Sequence, residues 1–204
     1  MKTIAACSTL ALGVLGLAPQ SVAAQATIPA WREITIYASD ASYPQALVRR
    51  GVQGAVTIEL TPGTRGRKAA ATVRDSSRSA DLDALALGMA RQLVISGADG
   101  ATSGMVTYRF RKDHPSTIAT KTCADLNVDV AYHSATFPER SLRELPVFYE
   151  SVGKLIYSFQ REGERRTFPP ADTLFDATLA ACARTPQAGM LDVLRQEALK
   201  LIAP

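Results

Sequence analysis

The chain has 204 residues, 47% hydrophobic and 21% charged, with 23 Lys and Arg against 19 Asp and Glu. No internal repeat or low-complexity tract interrupts it, and its length suits two small domains or one medium one. The excess positive charge is local: residues 43–113 hold eleven Lys or Arg and six Asp or Glu, residues 114–204 ten and eleven. An excess of that kind reads as a solvated basic face more simply than as a polyanion site, and the exported location read from the N-terminus below argues against a nucleic-acid partner.

Lys2 supplies a short positive segment, Ile4 to Leu17 an apolar stretch, and Pro19 to Ala24 an exit of small and polar residues. Val22-Ala23-Ala24 satisfies the small-x-small rule, so cleavage is expected after Ala24, with Gln25 as the first mature residue. The apolar run is about 14 residues where a spanning helix wants about 20, so residues 1–24 read as a signal peptide and not as a lasting membrane anchor. Cys7 leaves with that segment, and Cys123 and Cys182 stay. In an exported chain an even pair of cysteines is more simply a disulfide than a metal site or a nucleophile. The bridge closes a loop of about 60 residues, worth about 4 kcal/mol on the chain-entropy account.

After a lead-in at 25–42, in which Trp31 to Tyr37 is apolar enough to form an added strand, Tyr43-Pro44 opens a short helix that runs to Arg50 and ends at Gly51. Gly54 to Thr61 alternates, with Val56, Ile58 and Leu60 on one face, and predicts a half-buried strand. Pro62-Gly63-Thr64-Arg65-Gly66 is turn chemistry, and Arg67 to Arg74 resumes the alternation as the second arm of a hairpin. Ser76-Ser77-Arg78-Ser79 offers helix caps before Asp81 and Asp83, and Leu82, Leu85, Ala86, Met89 and Leu93 form one apolar stripe at helical spacing. A loop from Ser96 to Gly104 leads to Met105–Arg111, where Val106, Tyr108 and Phe110 share a face.

His114 to Thr122 reads as a linker, the boundary itself falling at 113–121. Beyond it, Cys123–Tyr132, Leu142–Phe159, Ala171–Ala183 and Gly189–Ile202 carry apolar residues at helical spacing, and Arg161 to Pro170 separates the second from the third. The expected fold is therefore α+β: a helix/antiparallel-sheet domain at 43–112 followed by a small disulfide-linked all-α domain at 122–204.

The first domain resembles the C-terminal domain of TonB. The resemblance rests on Tyr43-Pro44, on Gly51, Gly54 and Val56 leading into a strand, on glycines at the following turn (Gly63 and Gly66), on Ser76-Ser77 before Leu82-Asp83-Ala84-Leu85-Ala86, and on the closing strand Val106 to Phe110. The chain departs from the pattern in lacking a proline after Leu93 and in its long glycine-containing loop before the last strand. In the energy-transducing members this domain binds an outer-membrane receptor by adding a strand to its sheet edge. The resemblance thus implies a protein or peptide partner in the cell envelope, a periplasmic location, and an edge strand here at Met105, Val106, Thr107, Tyr108, Arg109 and Phe110. Transducers also keep a membrane helix and a long proline-rich spacer. Here about 18 residues separate the cleavage site from Tyr43, a reach of roughly 60 Å at full extension, so a membrane-anchored energy transducer in transmembrane transport, retaining its N-terminal helix, stands as an alternative to a released periplasmic protein.

Thr122-Cys123-Ala124-Asp125-Leu126, Ala180-Ala181-Cys182, Pro186 and Leu191-Asp192-Val193-Leu194 resemble the HdeA-type helical fold, which implies an acid-stress chaperone as an alternative. Neither reading needs catalysis, a cofactor or a metal. His114 and His133 match no zinc spacing and read as exposed loop histidines. Ser76 and Ser77 lack a Gly-x-Ser-x-Gly setting and suit helix capping. The glycines at 97–104 follow a helix and so cannot cradle a phosphate at its start. The first prediction is that the exported protein has the intact mass of Gln25–Pro204 less two hydrogens, which reduction restores; a full-length species extracted from membranes would refute cleavage.

Overall fold

The computed structural model describes residues 31–61, 70–93, 103–161 and 169–202. The signal segment, the Pro62–Gly66 turn, and most of the 97–104 loop and of the 161–170 segment lie outside the described residues. The first part contains β1 (Trp31–Tyr37), α1 (Gln45–Arg49), β2 (Gly54–Thr61), β3 (Ala70–Asp75), α2 (Ala80–Ala90) and β4 (Gly104–Arg111). The second contains α3 (Cys123–Thr136), α4 (Pro146–Arg161), α5 (Ala171–Arg184) and α6 (Met190–Ile202), with short 3-10 turns at Ile118–Thr120 and Leu142–Glu144. The fold is α+β, a sheet part followed by an all-α part stapled by the Cys123–Cys182 disulfide.

Alternation along the strands dictates which face is buried. Val56, Ile58 and Leu60 of β2 and Val106, Tyr108 and Phe110 of β4 point the same way and are almost wholly buried under Leu82, Ala86 and Ala90 of α2, with Tyr43 and Leu47 beside them. Each such side chain contributes about 1.5–3 kcal/mol of burial, so this face alone explains why α2 packs where it does. Ser79, not Ser76 or Ser77, caps α2, accepting from the Leu82 amide, while Asp81 and Asp83 sit in its positive first turn.

In the helical part Thr122 and Asp125 form a capping box at the start of α3. Hydrogen bonds from the Thr122 hydroxyl and amide hold the Asp125 carboxyl below the usual carboxylate range, although partial burial pushes the other way. Leu126, Leu145, Phe148, Phe175 and Met190 share one core, and the Phe148 and Phe175 rings meet at 4.4 Å between centroids. The helix α3 runs four residues past Tyr132, so His133 does not lie in an exposed loop. It is buried on the helix, with Nε2 3.1 Å from the Ser141 carbonyl oxygen. The sequence hides the continuation because the last turn, His133 to Thr136, carries no large apolar residue to extend the stripe.

Three sets of contacts weld the two parts. Asp129 of α3 is fully buried, its Oδ1 2.8 Å from Lys112 Nζ and its Oδ2 2.5 Å from Lys121 Nζ; Lys121 also holds both oxygens of Asp113 at 2.9 Å. Arg78 donates to the Thr136 carbonyl at the C-terminus of α3 and pairs with Glu139 at 2.6 Å, from a left-handed backbone conformation (φ 64°). Gly51, also left-handed at φ 71°, lies so close to α3 that a Cβ there would fall 2.9 Å from the Val128 carbonyl oxygen.

Burial lowers the pKa of Lys121, but the Asp129 and Asp113 carboxylates override it, so the ammonium ends above the ordinary lysine value. A cation raised in this way contributes stability throughout the neutral range and loses it only as pH climbs through the folded pKa. Burial pushes the Asp129 carboxyl up, against the pull of Lys121 and Lys112. Asp129→Ala leaves the buried Lys121 ammonium with Asp113 alone and takes the nearest carboxylate from Lys112, and is expected to cost roughly 3–5 kcal/mol in denaturant unfolding at neutral pH. A loss of well under 1 kcal/mol would show that the quartet does not hold the parts together.

Candidate functional site

The residues expected to bind a partner, Met105 to Phe110, lie on β4, and β4 is not an edge. The strand order is β1-β4-β2-β3, so β4 is paired on both sides. Its antiparallel neighbour β2 takes one side, from Gly54 opposite Phe110 to Leu60 opposite Gly104. Its other side is filled by β1 in parallel, Trp31 opposite Met105 through Tyr37 opposite Arg111, without a register shift. This is a correction to the sequence reading. Alternation shows that a segment is a strand and which face is buried, but not which strand lies beside it.

The burial of β4 follows from this. Val106, Tyr108 and Phe110 face the core, and burial raises the Tyr108 hydroxyl to about 12, with Arg32 pulling it the other way. Met105, Thr107, Arg109 and Arg111 face the opposite side of the sheet, where Thr107 bonds Thr57 of β2 at 3.0 Å between hydroxyl oxygens. Arg109 Nε donates to Glu33 Oε1 of β1 at 2.5 Å, and Arg111 pairs with Glu150 of α4 at 3.1 Å. A cleft of ≈ 650 Å³ opens over this outer face, floored by Glu33, Thr35, Arg109 and Arg111 and walled by Phe137 and Glu150. The guanidinium groups of Arg78 and Arg140 stand 5.1 Å and 4.7 Å from the Phe137 ring centre.

The sheet ends are β1 and β3. Between Thr57 and Ile58 the β2–β3 ladder shifts register, an irregularity of the kind that blunts an edge. The β1 edge is regular. The Ala38 amide donates inward to the Arg111 carbonyl at 3.0 Å, and the Tyr37 amide donates outward to Asp40 Oδ2 at 2.8 Å. Because strand amides alternate in direction, those of Ile34 and Ile36 point toward β4 and those of Glu33 and Thr35 point away from the sheet.

The sequence-motif residues turn out to be scaffold. Tyr43 lies under the sheet and donates its hydroxyl to the Val52 carbonyl; burial pushes its pKa far up. Pro44 starts α1, Gly51 ends it, and Gly54 begins β2 at φ 157°, facing Ser77. Ser76 and Ser77 donate their hydroxyls to the two carboxylate oxygens of Asp83, at 2.5 Å and 2.8 Å, which ties the exit of β3 to α2. Leu82 fills the core. Sequence reasoning missed Arg78, Lys112, Lys121 and Asp129. The available signal was Asp129 itself, an acid one turn from Leu126 on the buried side of a helix.

Residues 39–111 match the family model of the Gram-negative bacterial TonB protein C-terminal. Over these residues the chain is similar to TonB C-terminal domains. The match ends at Arg111, before the helical part, and neither a curated protein nor a solved structure matches the chain. It begins two residues after β1 ends at Tyr37. The strands of the TonB-type region are thus β2, β3 and β4, in the order β4-β2-β3, and β1 joins them from outside it.

What holds β1 there can be ranked by magnitude. Its ion pair Glu33–Arg109 is about half exposed on both sides and contributes about 0.2–1 kcal/mol. Ile36 is 5% exposed in the core, and cutting such a residue to alanine costs about 2–5 kcal/mol. We therefore expect Ile36→Ala to release amide protection across β1 in hydrogen exchange, and Arg109→Ala to leave it nearly unchanged. Equal loss in both variants would assign the strand to the ion pair.

Proposed function

We propose that this is an exported, non-catalytic cell-envelope protein whose TonB-type sheet binds a protein partner by taking an extended segment of it as a strand at the β1–β4 end. The observation that carries the reading is the parallel pairing of β4 with a seven-residue strand supplied from outside the TonB-type region. Such pairing needs only backbone donors and acceptors in register and an apolar row to accept alternate side chains, which is what strand-adding partners use. The residues of β4 make up that row, with Tyr108 and Phe110 toward the core and Arg109 and Arg111 toward the cleft.

The partner is a polypeptide, because what is offered is a ladder and not a nucleotide, metal or acyl site. It lies in the periplasm or reaches into it, as the signal-like N-terminus and the family both suggest. The protein is not a spanning transducer in this reading. With β1 folded into the sheet, only Gln25–Ala30 separates the expected cleavage site from it, a reach of roughly 20 Å. The helical part serves as a rigid wall to the cleft, which fits its attachment through Asp129 and Arg78.

The test places a photo-crosslinking amino acid at Arg109, beside the β1 end, or at Thr72 on β3, in exported protein in cells. We expect envelope-protein adducts to form several-fold more at position 109. Adducts confined to position 72, or none at either position, would overturn the assignment.

A further inference from the structure

We infer that β1 is a resident stand-in for the partner strand: residues 31–37 occupy the place beside β4 that the partner takes, so the protein is closed to that partner until β1 leaves. This rests on the reading that the partner binds as a strand, and it adds where that strand sits, what its chemistry is and what regulates access.

Three observations support it. The segment lies outside the TonB-type region, yet pairs with that region's last strand over its whole length and without a bulge. It is attached on one side only, since the Glu33 and Thr35 amides point away from the sheet. Its side chains make a sparse set of contacts: Ile36 is buried, Ile34 is partly buried against the same core, and Arg32 and Glu33 are exposed. By contrast, β2 and β4 keep three core residues each at 2% exposure or less. The strand from outside is therefore held less firmly to β4 than β2 is on the other side.

The resident strand also describes the ligand. Ile34 lies opposite Tyr108 and Ile36 opposite Phe110, and Glu33 pairs with Arg109. A partner segment would need two aliphatic residues two apart to fill the row over Tyr108 and Phe110, preceded by a carboxylate for Arg109: acid–aliphatic–any–aliphatic, running parallel to β4. Tethering favours β1 over such a segment. The turn through Asp40 holds the strand next to its slot, where Asp40 bonds Tyr37 in both directions and its carbonyl accepts from the Tyr43 amide. The effective local concentration is therefore high, and an added peptide sees its affinity reduced by the fraction of molecules that are open.

The test uses the exported protein and a fluorescent peptide copying Trp31–Tyr37, with a control peptide carrying lysine at both isoleucine positions. Glu33 and Thr107 lie opposite each other on the outer face, so Glu33→Cys with Thr107→Cys gives a strand that oxidation locks and leaves Arg109 in place for the peptide's acid. The native Cys123–Cys182 bridge is fully buried, so mild reductant opens the new bond first. Ile36→Pro removes both the inward amide and the buried side chain, and unhooks β1. We expect Ile36→Pro to bind the copy peptide about tenfold or more tighter than the unaltered protein, and the control peptide not at all. We expect the oxidised lock to abolish binding and reduction to restore it. Equal binding by the oxidised and reduced lock would overturn replacement, while leaving addition to the outer edge of β1 as the mode of capture. Binding by neither the reduced lock nor Ile36→Pro would overturn both.

Discussion

The quartet of Lys112, Asp113, Lys121 and Asp129, with Lys121 and Asp129 buried at its centre, is the constraint on which the rest of the molecule depends. Asp129 is wholly inside, and no carboxylate stays there unless cations meet it. The two ammonium groups come from the chain that leaves β4, eight and seventeen residues before it. Satisfying one charge therefore fixes the path of the connection, the position of α3, and its orientation over the sheet. Apolar packing alone would hold the two parts together without choosing among neighbouring arrangements. A set of short charged contacts that leaves no donor unpaired admits far fewer.

Lys121 illustrates how much passes through one residue. Its ammonium holds Asp129 and Asp113, while its backbone carbonyl accepts from the Met190 amide at the start of α6. Next to it Thr122 pairs with Gly189, and Cys123 is bonded to Cys182 of α5 while its amide donates to Ala188. Within three residues the chain is tied to the sheet part and to three helices. The helical bundle is thus mounted on the exit of β4, and the clasp of Arg78 on the end of α3 fixes its far side. The left-handed backbone of Arg78 is tolerated because both its guanidinium partners and the Ser76–Ser79 turn hold it.

That mounting gives the sheet two unlike faces. One is closed by α1 and α2 around Tyr43, Leu82 and the alternating apolar residues of β2 and β4. The other carries Glu33, Thr35, Arg109 and Arg111 and is overlooked by the end of α3 and the start of α4, so it remains a cleft and not a second core. β4 is the hub of both. It supplies the core row, the charged row and the pairing surface for a strand from outside the TonB-type region. A binding reading and a structural reading thus meet on the same eight residues, which explains why a strand that looked like a bare edge in the sequence is the most enclosed in the sheet.

Much of this was legible in the residues. Period-two alternation located β2 and β4 almost to their ends, Tyr43-Pro44 and the glycines marked the TonB-type region, the four helices showed their spacing, and the paired cysteines announced their bridge. Even the apolar Trp31–Tyr37 segment was readable as an added strand. These features depend on local geometry, on how side chains alternate or recur every 3.6 residues, and on the compartment's redox state. Tertiary structure decided the rest: that β1 lies beside β4 and runs parallel to it, that Met105–Phe110 is consequently interior, that Ser76 and Ser77 bind Asp83 while Ser79 caps the helix, that His133 is buried, and that Asp129 is met by two lysines. The reason is the same in each case. Which strand pairs with which, and which cation meets a buried carboxylate, is set by groups up to 76 residues apart, as Glu33 and Arg109 are, and a local period carries no information about a partner so distant.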